Sequence, residues 1–302
     1  MRLGISPIGW TNNAIIAMGD HVPFEACIAE AAAAGYEGIE LGRKFPENPM
    51  VLRARLAERG LVPVTGWYSG ELARRGVEEE WAAARTFVDH LLALGCGVLV
   101  YGECGHGPAA GSAAPLGQAL PHEVGQDYAD RVTAFAERLA ATGLTLAYHP
   151  HMMQAVDTND RIHRLMESTG LAVGLLLDTG HIAMSGGDYR EIVEAWWPRV
   201  VHLHLKDVDR RVLGRLDPAL HSFDDAVWMG LFTVPGEGDI DFAPLAQAIA
   251  QHGFDGWCVV EAERDPTTIS PGLLARRAYD HLTQLLAEAG VPSARAVRGV
   301  AR

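Results

Sequence analysis

Asp178 and His181 stand at the end of an apolar run that reads Leu-Leu-Leu-Asp-Thr-Gly-His from residue 175. Such a run is typical of a strand buried on both faces of a parallel sheet. Because ligands bind at the carboxyl ends of parallel strands, the Asp178 carboxylate and the His181 imidazole are candidate cation ligands. The same residues also fit a structural interpretation, in which Asp178 caps the next helix and His181 packs beside it.

Other polar and aromatic residues occupy the same position at the ends of predicted strands, and the full set is Glu40, Trp67, Glu103, His149, Asp178, His204 and Glu261. If the strands form a barrel, these side chains converge on one mouth, where the carboxylates repel each other unless a cation compensates their charge. Oxygen and nitrogen donors without cysteine suit Mn²⁺, Co²⁺, Fe²⁺ or Mg²⁺, with Zn²⁺ as a further candidate. His151 and His202 stand two residues from His149 and His204, and we expect one histidine of each pair to lie behind the ligands or in the core.

Amphipathic helices that mostly end at a glycine alternate with these strands along the chain. The predicted helices cover residues 22–34, 49–59, 76–94, 124–142, 158–169, 188–197, 242–252 and 273–289. Eight strand–helix units predict an α/β fold of the (β/α)₈ TIM-barrel type. An open doubly wound sheet is the alternative, but it usually has a glycine-rich phosphate turn after the first strand, which this sequence lacks. We predict one barrel domain over residues 1–289 and a loose tail over 290–302.

Two connections, residues 104–121 and 206–233, are longer than is usual in α/β units. Both follow strand ends, so both would lie over the face that carries the polar residues. The second contains Asp224, Asp225, Trp228 and Phe232, which favours a lid or a wall of the substrate site over a tolerated insertion.

The composition narrows the class of protein. The net charge of −13 argues against a nucleic-acid groove or an anionic membrane as the main partner. No signal peptide or long apolar span is visible, and the four cysteines form no Cys-x-x-Cys pair, so a reducing cytoplasm is the expected location. Helices on the outside of a barrel offer many pairing faces, and a homo-oligomer is compatible with the sequence.

Four motifs resemble the metal-site motifs of the xylose-isomerase-like TIM-barrel superfamily, which contains sugar isomerases, epimerases, dehydratases and an endonuclease branch. They are Tyr148-His149-Pro150-His151, Leu177-Asp178-Thr179-Gly180-His181, Val201-His202-Leu203-His204-Leu205-Lys206-Asp207 and Val259-Val260-Glu261. The resemblance implies metal ligation by His149, Asp178, His204 and Glu261. It departs from the common pattern at His149, since most branches have Glu there, and the first ligand is therefore His149 or His151.

Further motifs resemble the inosose dehydratase family within this superfamily: Gly4-Ile5-Ser6-Pro7-Ile8-Gly9-Trp10, Glu40-Leu41-Gly42-Arg43-Lys44-Phe45-Pro46, Gly66-Trp67-Tyr68-Ser69-Gly70 and Phe232-Thr233-Val234-Pro235-Gly236-Glu237-Gly238. The resemblance implies loss of water from 2-keto-myo-inositol (scyllo-inosose), a polyhydroxylated cyclic ketone, to give a trihydroxycyclohexane-1,2-dione. It also implies Mn²⁺ or Co²⁺, and it associates glutathione with the family although no motif for glutathione is visible.

Roles in that reaction follow from position. Glu261, Glu40 and His151 are candidates for the base that removes a proton beside the ketone, and Lys206 for the acid or for a contact to the enolate oxygen. Side chains expected to contact the substrate are Trp10, Phe45, Trp67, Tyr68, Glu103 and His181. A ketose isomerase or 3-epimerase of the same superfamily is the alternative function, and a catalytically silent sugar-sensing barrel is a third. The negative charge disfavours the endonuclease branch.

Overall fold

The computed structural model describes residues 1–108, 113–118 and 125–291. The strands are β1 (Arg2–Ile5), β2 (Gly38–Ile39), β3 (Val62–Pro63), β4 (Trp67–Gly70), β5 (Val98–Glu103), β6 (Thr145–Tyr148), β7 (Val173–Asp178), β8 (Val200–Leu205), β9 (Asp207–Val208), β10 (Phe232–Thr233) and β11 (Trp257–Val260). The helices are α1 (Phe24–Ala34), α2 (Pro49–Ala57), α3 (Val77–Leu94), α4 (Gln126–Ala140), α5 (Asn159–Ser168), α6 (Thr179–Met184), α7 (Tyr189–Trp196), α8 (Arg210–Leu213), α9 (Phe223–Trp228), α10 (Ala243–His252) and α11 (Pro271–Glu288).

Nine of these strands form one parallel sheet in the order β3-β2-β1-β11-β8-β7-β6-β5-β4. Its two edges, β3 and β4, are consecutive in the chain and are the two halves of one barrel strand. Thr65 lies between them and joins both neighbours, since its carbonyl accepts from the Leu41 amide at 2.8 Å and its hydroxyl donates to the Val98 carbonyl at 2.6 Å. The sheet therefore closes as the predicted barrel of eight strand positions, with the third strand interrupted.

Alternate side chains of the strands face the barrel interior and the helices. Leu175 and Leu177 of β7 pack in the large apolar layer beneath the helices, whereas Leu176 joins a small interior cluster with Val100 and Ala147. This alternation has period two, so Asp178 continues the interior series of β7.

The second long connection is structured rather than a simple loop. It contains α8, α9 and the antiparallel pair β9–β10, and it packs around a separate apolar cluster over the barrel mouth that includes Met18, Met152, Val227 and Phe232. Part of the first long connection, residues 109–112 and 119–121, lies outside the described residues, as does the predicted tail from residue 292 onward.

No helix in the described ranges combines the length and the apolar character needed to span a bilayer. The division into one domain over 1–289 and a tail, the cytoplasmic location and the oligomeric state stay predictions.

Candidate active site

The four residues expected to bind a metal lie together at the barrel mouth. The strand register places Asp178 beside His204, and His204 beside Val259, two residues before Glu261. The Asp178 Oδ2 atom is 3.4 Å from His149 Nε2 and 3.6 Å from His204 Nδ1, and His204 Nδ1 is 3.4 Å from Glu261 Oε2. All four side chains are buried.

These atoms fit a divalent cation. Within the described part of the chain, Asp178 Oδ2, His204 Nδ1 and both ring nitrogens of His149 are buried without a hydrogen-bond partner. A buried polar atom without a partner costs free energy, and a shared cation would satisfy several of these atoms at once. Two imidazoles and two carboxylates form a donor set that suits Zn²⁺, Fe²⁺, Co²⁺ or Mn²⁺.

The Asp178 carboxylate can cap a helix and still present an oxygen to a cation, because its two oxygens face different partners. Its Oδ1 atom caps α6 by accepting from the amides of Gly180 at 2.8 Å and His181 at 2.9 Å, which turns Oδ2 toward the other ligand residues. Burial alone would raise the pKa of Asp178, but electrostatic interactions with His181 and Lys206 outweigh it and hold that pKa well below its usual value. The carboxylate is therefore ionised, and its Oδ2 atom faces His149 and His204.

Lys206 is a buried cation that links two carboxylates on the β11 side. Its Nζ atom is 2.6 Å from Glu261 Oε1 and 3.2 Å from Glu263 Oε1, and Glu263 Oε2 accepts from Asn12 Nδ2 at 2.9 Å. Burial alone would lower the pKa of Lys206. Glu261 and Glu263 raise this pKa by more than burial lowers it, so the side chain is a protonated ammonium. Gly180 makes room for this side chain, since a Cβ there would lie 2.6 Å from Lys206 Cγ.

Sequence reasoning missed Glu263 and Asn12. Glu263 stands two residues after Glu261, and that spacing could have placed both carboxylates on the same side of an extended segment. No sequence signal marks Asn12, because its contact with Glu263 joins positions 251 residues apart.

His151 is held in one tautomer. Its Nδ1 atom lies 2.8 Å from the carbonyl oxygen of Met152, which can only accept, so Nδ1 carries the proton and Nε2 is the basic nitrogen. Its ring lies 3.7 Å from that of His181, whose Nε2 accepts from Lys206 at 3.0 Å. Burial, with the charges of His149 and Lys206, lowers the pKa of His151 to about 3. It is therefore a neutral acceptor at physiological pH.

Glu40 is a candidate base by sequence, but its carboxylate is already hydrogen-bonded to two histidines. Its Oε1 atom accepts from Nε2 of both His202 and His204, each at 3.0 Å. Burial would raise the pKa of Glu40, but the two histidines, His204 above all, hold it far below its usual value.

The site opens into a cavity of about 270 Å³, close to the lower end of the range for ligand pockets of about 300–1,000 Å³. Residues on its wall include Asn13, Glu40, Trp67, Ser69, Cys104, His149, His151, Met153, Gln154, His204, Lys206, Phe223, Asp224, Glu261 and Glu263. Phe223 and Asp224 come from the second long connection, which is therefore a cavity wall. Two acceptors on this wall, Asp224 Oδ1 and Gln154 Oε1, are buried without a partner among the described residues.

Five of the six side chains predicted to contact substrate do not line this cavity: Trp10, Phe45, Tyr68, Glu103 and His181. Only Trp67 does, and it fits because a Cβ on Gly102 would lie 2.0 Å from its ring. Trp10 is instead buried in the core and donates to Glu30 at 2.7 Å, and Phe45 packs edge-on against a neighbouring phenylalanine.

The alternation of side-chain direction along a strand explains why Tyr68 and Glu103 do not reach the cavity. Tyr68 and Glu103 point to the helix side of the sheet, where Tyr68 donates to Glu80 at 2.6 Å. The Glu103 carboxylate accepts from the Tyr101 hydroxyl and from backbone amides, so it does not join the carboxylates at the mouth. His181 lies behind His151, in contact with Lys206.

A family model described as the xylose isomerase-like TIM barrel matches residues 28–285. The chain belongs to the xylose isomerase-like TIM-barrel family. Solved structures of similar fold include the IOLI protein with a bound zinc atom, with a TM-score of 0.68 at 15% identity, covering 96% of this chain and 99% of that one. A D-psicose 3-epimerase from Clostridium cellulolyticum H10 has a TM-score of 0.67 at 14% identity, covering 95% and 99%. At these identities the likeness shows the fold alone.

Curated members of this family are more similar in sequence. The rhizopine catabolism protein MocC of Rhizobium meliloti is 39% identical over 292 residues, covering 96% of this chain and 90% of the relative. Inosose dehydratases of Geobacillus thermodenitrificans (strain NG80-2) and Lacticaseibacillus casei are 36% and 38% identical, covering 94% and 93% of this chain and 97% and 96% of their own. The TIM-barrel fold and the resemblance to inosose dehydratases are thereby confirmed, and the relatives support a hydro-lyase.

Proposed function

We propose that this protein is a metal-dependent dehydratase that removes water from scyllo-inosose (2-keto-myo-inositol) to give a trihydroxycyclohexane-1,2-dione. The observation that carries this proposal is the set of buried ligand atoms on Asp178, His204 and His149, which have no hydrogen-bond partner among the described residues. His149 and His204 line a cavity sized for one small ring, and Asp178 Oδ2 lies 3.4 Å and 3.6 Å from their ring nitrogens. Near-full-length similarity to inosose dehydratases supports this substrate.

His149, Asp178, His204 and Glu261 would hold the cation. His149 is the better first ligand, because its Nε2 atom lies 3.4 Å from Asp178 Oδ2 and it clusters with Asp178 and His204, whereas no such cluster of donor atoms in the described residues includes His151. A divalent cation held there supplies Lewis-acid polarisation of the ketone oxygen.

Two residues on the cavity wall can move the protons of the reaction. His151 lines the cavity with Nδ1–H held by the Met152 carbonyl, so its Nε2 atom is the candidate acceptor of the proton from the carbon beside the ketone. Lys206, whose ammonium lines the cavity, is the candidate donor of a proton to the β-hydroxyl as its C–O bond breaks, so that the hydroxyl leaves as water. The enol that remains then tautomerises to the dione.

The direct test is incubation of the purified protein with scyllo-inosose while the absorbance of the enolised dione is followed. We expect product to form, to stop after chelation of the metal, and to return when Mn²⁺, Co²⁺ or Zn²⁺ is added back. A 3-epimerase or isomerase would instead yield an isomer of its substrate without loss of water, and mass spectrometry of the product separates the two outcomes.

Asp224 is expected to contribute to substrate affinity. Its Oδ1 atom is buried at the cavity wall and has no partner in the described part of the chain, and burial, with the nearby Asp225, raises its pKa. A substrate hydroxyl that donates to this carboxylate would stabilise the complex by about 1.5–3 kcal/mol, so Asp224→Ala should raise KM about 10- to 100-fold. Asp224→Asn keeps an acceptor and should raise it less. Steady-state kinetics at saturating metal checks this, and an unchanged KM in Asp224→Ala would contradict it.

A further inference from the structure

The His204 ring lies between the Glu40 carboxylate on one side and the carboxylates of Asp178 and Glu261 on the other. On one side of its ring, Nε2 lies 3.0 Å from Glu40 Oε1. On the other side, Nδ1 lies 3.4 Å from Glu261 Oε2 and 3.6 Å from Asp178 Oδ2, and it has no hydrogen-bond partner among the described residues. A carboxylate can only accept, so Glu40 places a proton on Nε2 and directs Nδ1 toward the other candidate ligands.

Glu40 is itself fixed by a second histidine. His202, two residues before His204 on β8 and fully buried, has its Nε2 atom 3.0 Å from the same Glu40 oxygen. Glu40 immediately follows β2, where its amide donates to the Ile5 carbonyl at 3.0 Å. The carboxylate is therefore anchored by its backbone on one side of the barrel and by two imidazoles on the other.

From this arrangement we infer that Glu40 is a positioning residue, which orients His204 so that Nδ1 faces the cation, and that it is not the catalytic base. This inference rests on the proposed metal site. A carboxylate that accepts from the distal N–H of a metal-binding histidine fixes the ring and raises its basicity, and removing such a partner lowers metal affinity about 10- to 100-fold.

The first test measures Zn²⁺ affinity by competition with a chromophoric chelator, with no substrate present. Glu40→Leu should weaken binding about 10- to 100-fold. Glu40→Gln keeps an oxygen acceptor for both histidines and removes only the charge, so it should weaken Zn²⁺ binding less than Glu40→Leu does. His202→Gln is the matched control: it alters a residue of similar burial, keeps a donor to Glu40 and leaves the contact to His204, so we expect wild-type affinity.

The second test is nuclear magnetic resonance of the Zn²⁺-loaded protein with ¹⁵N-labelled histidine. Wild type should show two deshielded Nε2–H protons bonded to the Glu40 carboxylate. In His202→Gln one of them disappears and the other remains, and in Glu40→Gln both should move upfield. This readout holds even if Glu40→Leu fails to fold.

The outcomes separate this inference from the proposed function. Wild-type Zn²⁺ affinity in Glu40→Leu would overturn the role of Glu40 alone. Binding of two Zn²⁺ ions by wild type, with one lost in Glu40→Leu and the other unaffected, would also overturn it, because Glu40, His202 and His204 would then be ligands of a second ion. Failure of wild type to bind Zn²⁺ would remove the metal site as well. If the Zn²⁺ affinities are as expected but wild type does not dehydrate scyllo-inosose, only the proposed substrate is contradicted.

Discussion

Replacement of Asp178 with Asn should abolish metal retention and lower kcat/KM for scyllo-inosose by about 10³-fold or more. A Lewis-acid metal contributes several kcal/mol to a transition state, at about 1.4 kcal/mol for each factor of ten. Asn is as good a helix cap as Asp, so the bonds to the amides of Gly180 and His181 should persist while the ligand oxygen Oδ2 is lost. Metal analysis after dialysis and the dehydration assay measure the two effects.

Asp188 provides the matched control for this substitution. It caps α7 with its side chain, as Asp178 caps α6, but it is exposed and away from the cavity. Asp188→Asn should retain both metal and activity. Metal content and turnover near wild type in Asp178→Asn would contradict a metal-centred site.

Replacement of Lys206 with Met should lower the free energy of unfolding of the metal-free protein by about 3–5 kcal/mol. Lys206 is buried and paired with Glu261 at 2.6 Å and Glu263 at 3.2 Å, so its loss leaves two buried carboxylates without a counter-charge. The apparent stability from urea unfolding measures the effect. The double variant Lys206→Met/Glu263→Gln should recover part of it, since one of the uncompensated charges is then removed.

An exposed ion pair offers the comparison. Arg55 contacts Glu25 at 2.7 Å, but both side chains are more than 40% exposed, and solvent screens such pairs. Arg55→Met should therefore change stability far less than Lys206→Met. Equal effects of the two substitutions would show that burial of the Lys206 cluster contributes nothing to the fold.

The order of helices and strands could be predicted because each unit carries its own local signals. Helices α1, α3 and α10 are followed by Gly35, Gly95 and Gly253 in the left-handed conformation, and these glycines mark the helix ends in the sequence. The interruption of the third strand and the small helices within residues 206–233 carry weaker signals. Their positions depend on how the sheet closes and on an apolar cluster contributed by distant segments.

Side-chain direction decided which predicted site residues reach the cavity. Asp178 shares the interior face of β7 with Leu176, whereas Glu103 shares the helix-facing side of β5 with Tyr101. Both carboxylates end a strand, so position alone does not distinguish them. Counting in steps of two from an interior residue would have done so. Trp10 and Phe45 follow their strands in irregular segments, where no such period applies.

By itself, the sequence determined the barrel, the end of the barrel that carries chemistry, and the histidine and carboxylate positions that can bind a cation, since strand ends and residue types are local properties. The tertiary structure alone decided that Glu40 accepts from His202 and His204, that Lys206 joins Glu261 to Glu263, and that Asp224 faces the cavity. Each of these depends on atoms that separate strands and connections bring within hydrogen-bonding or cavity distance. Such distances are set by closure of the sheet and packing of the long connections, which no local pattern encodes.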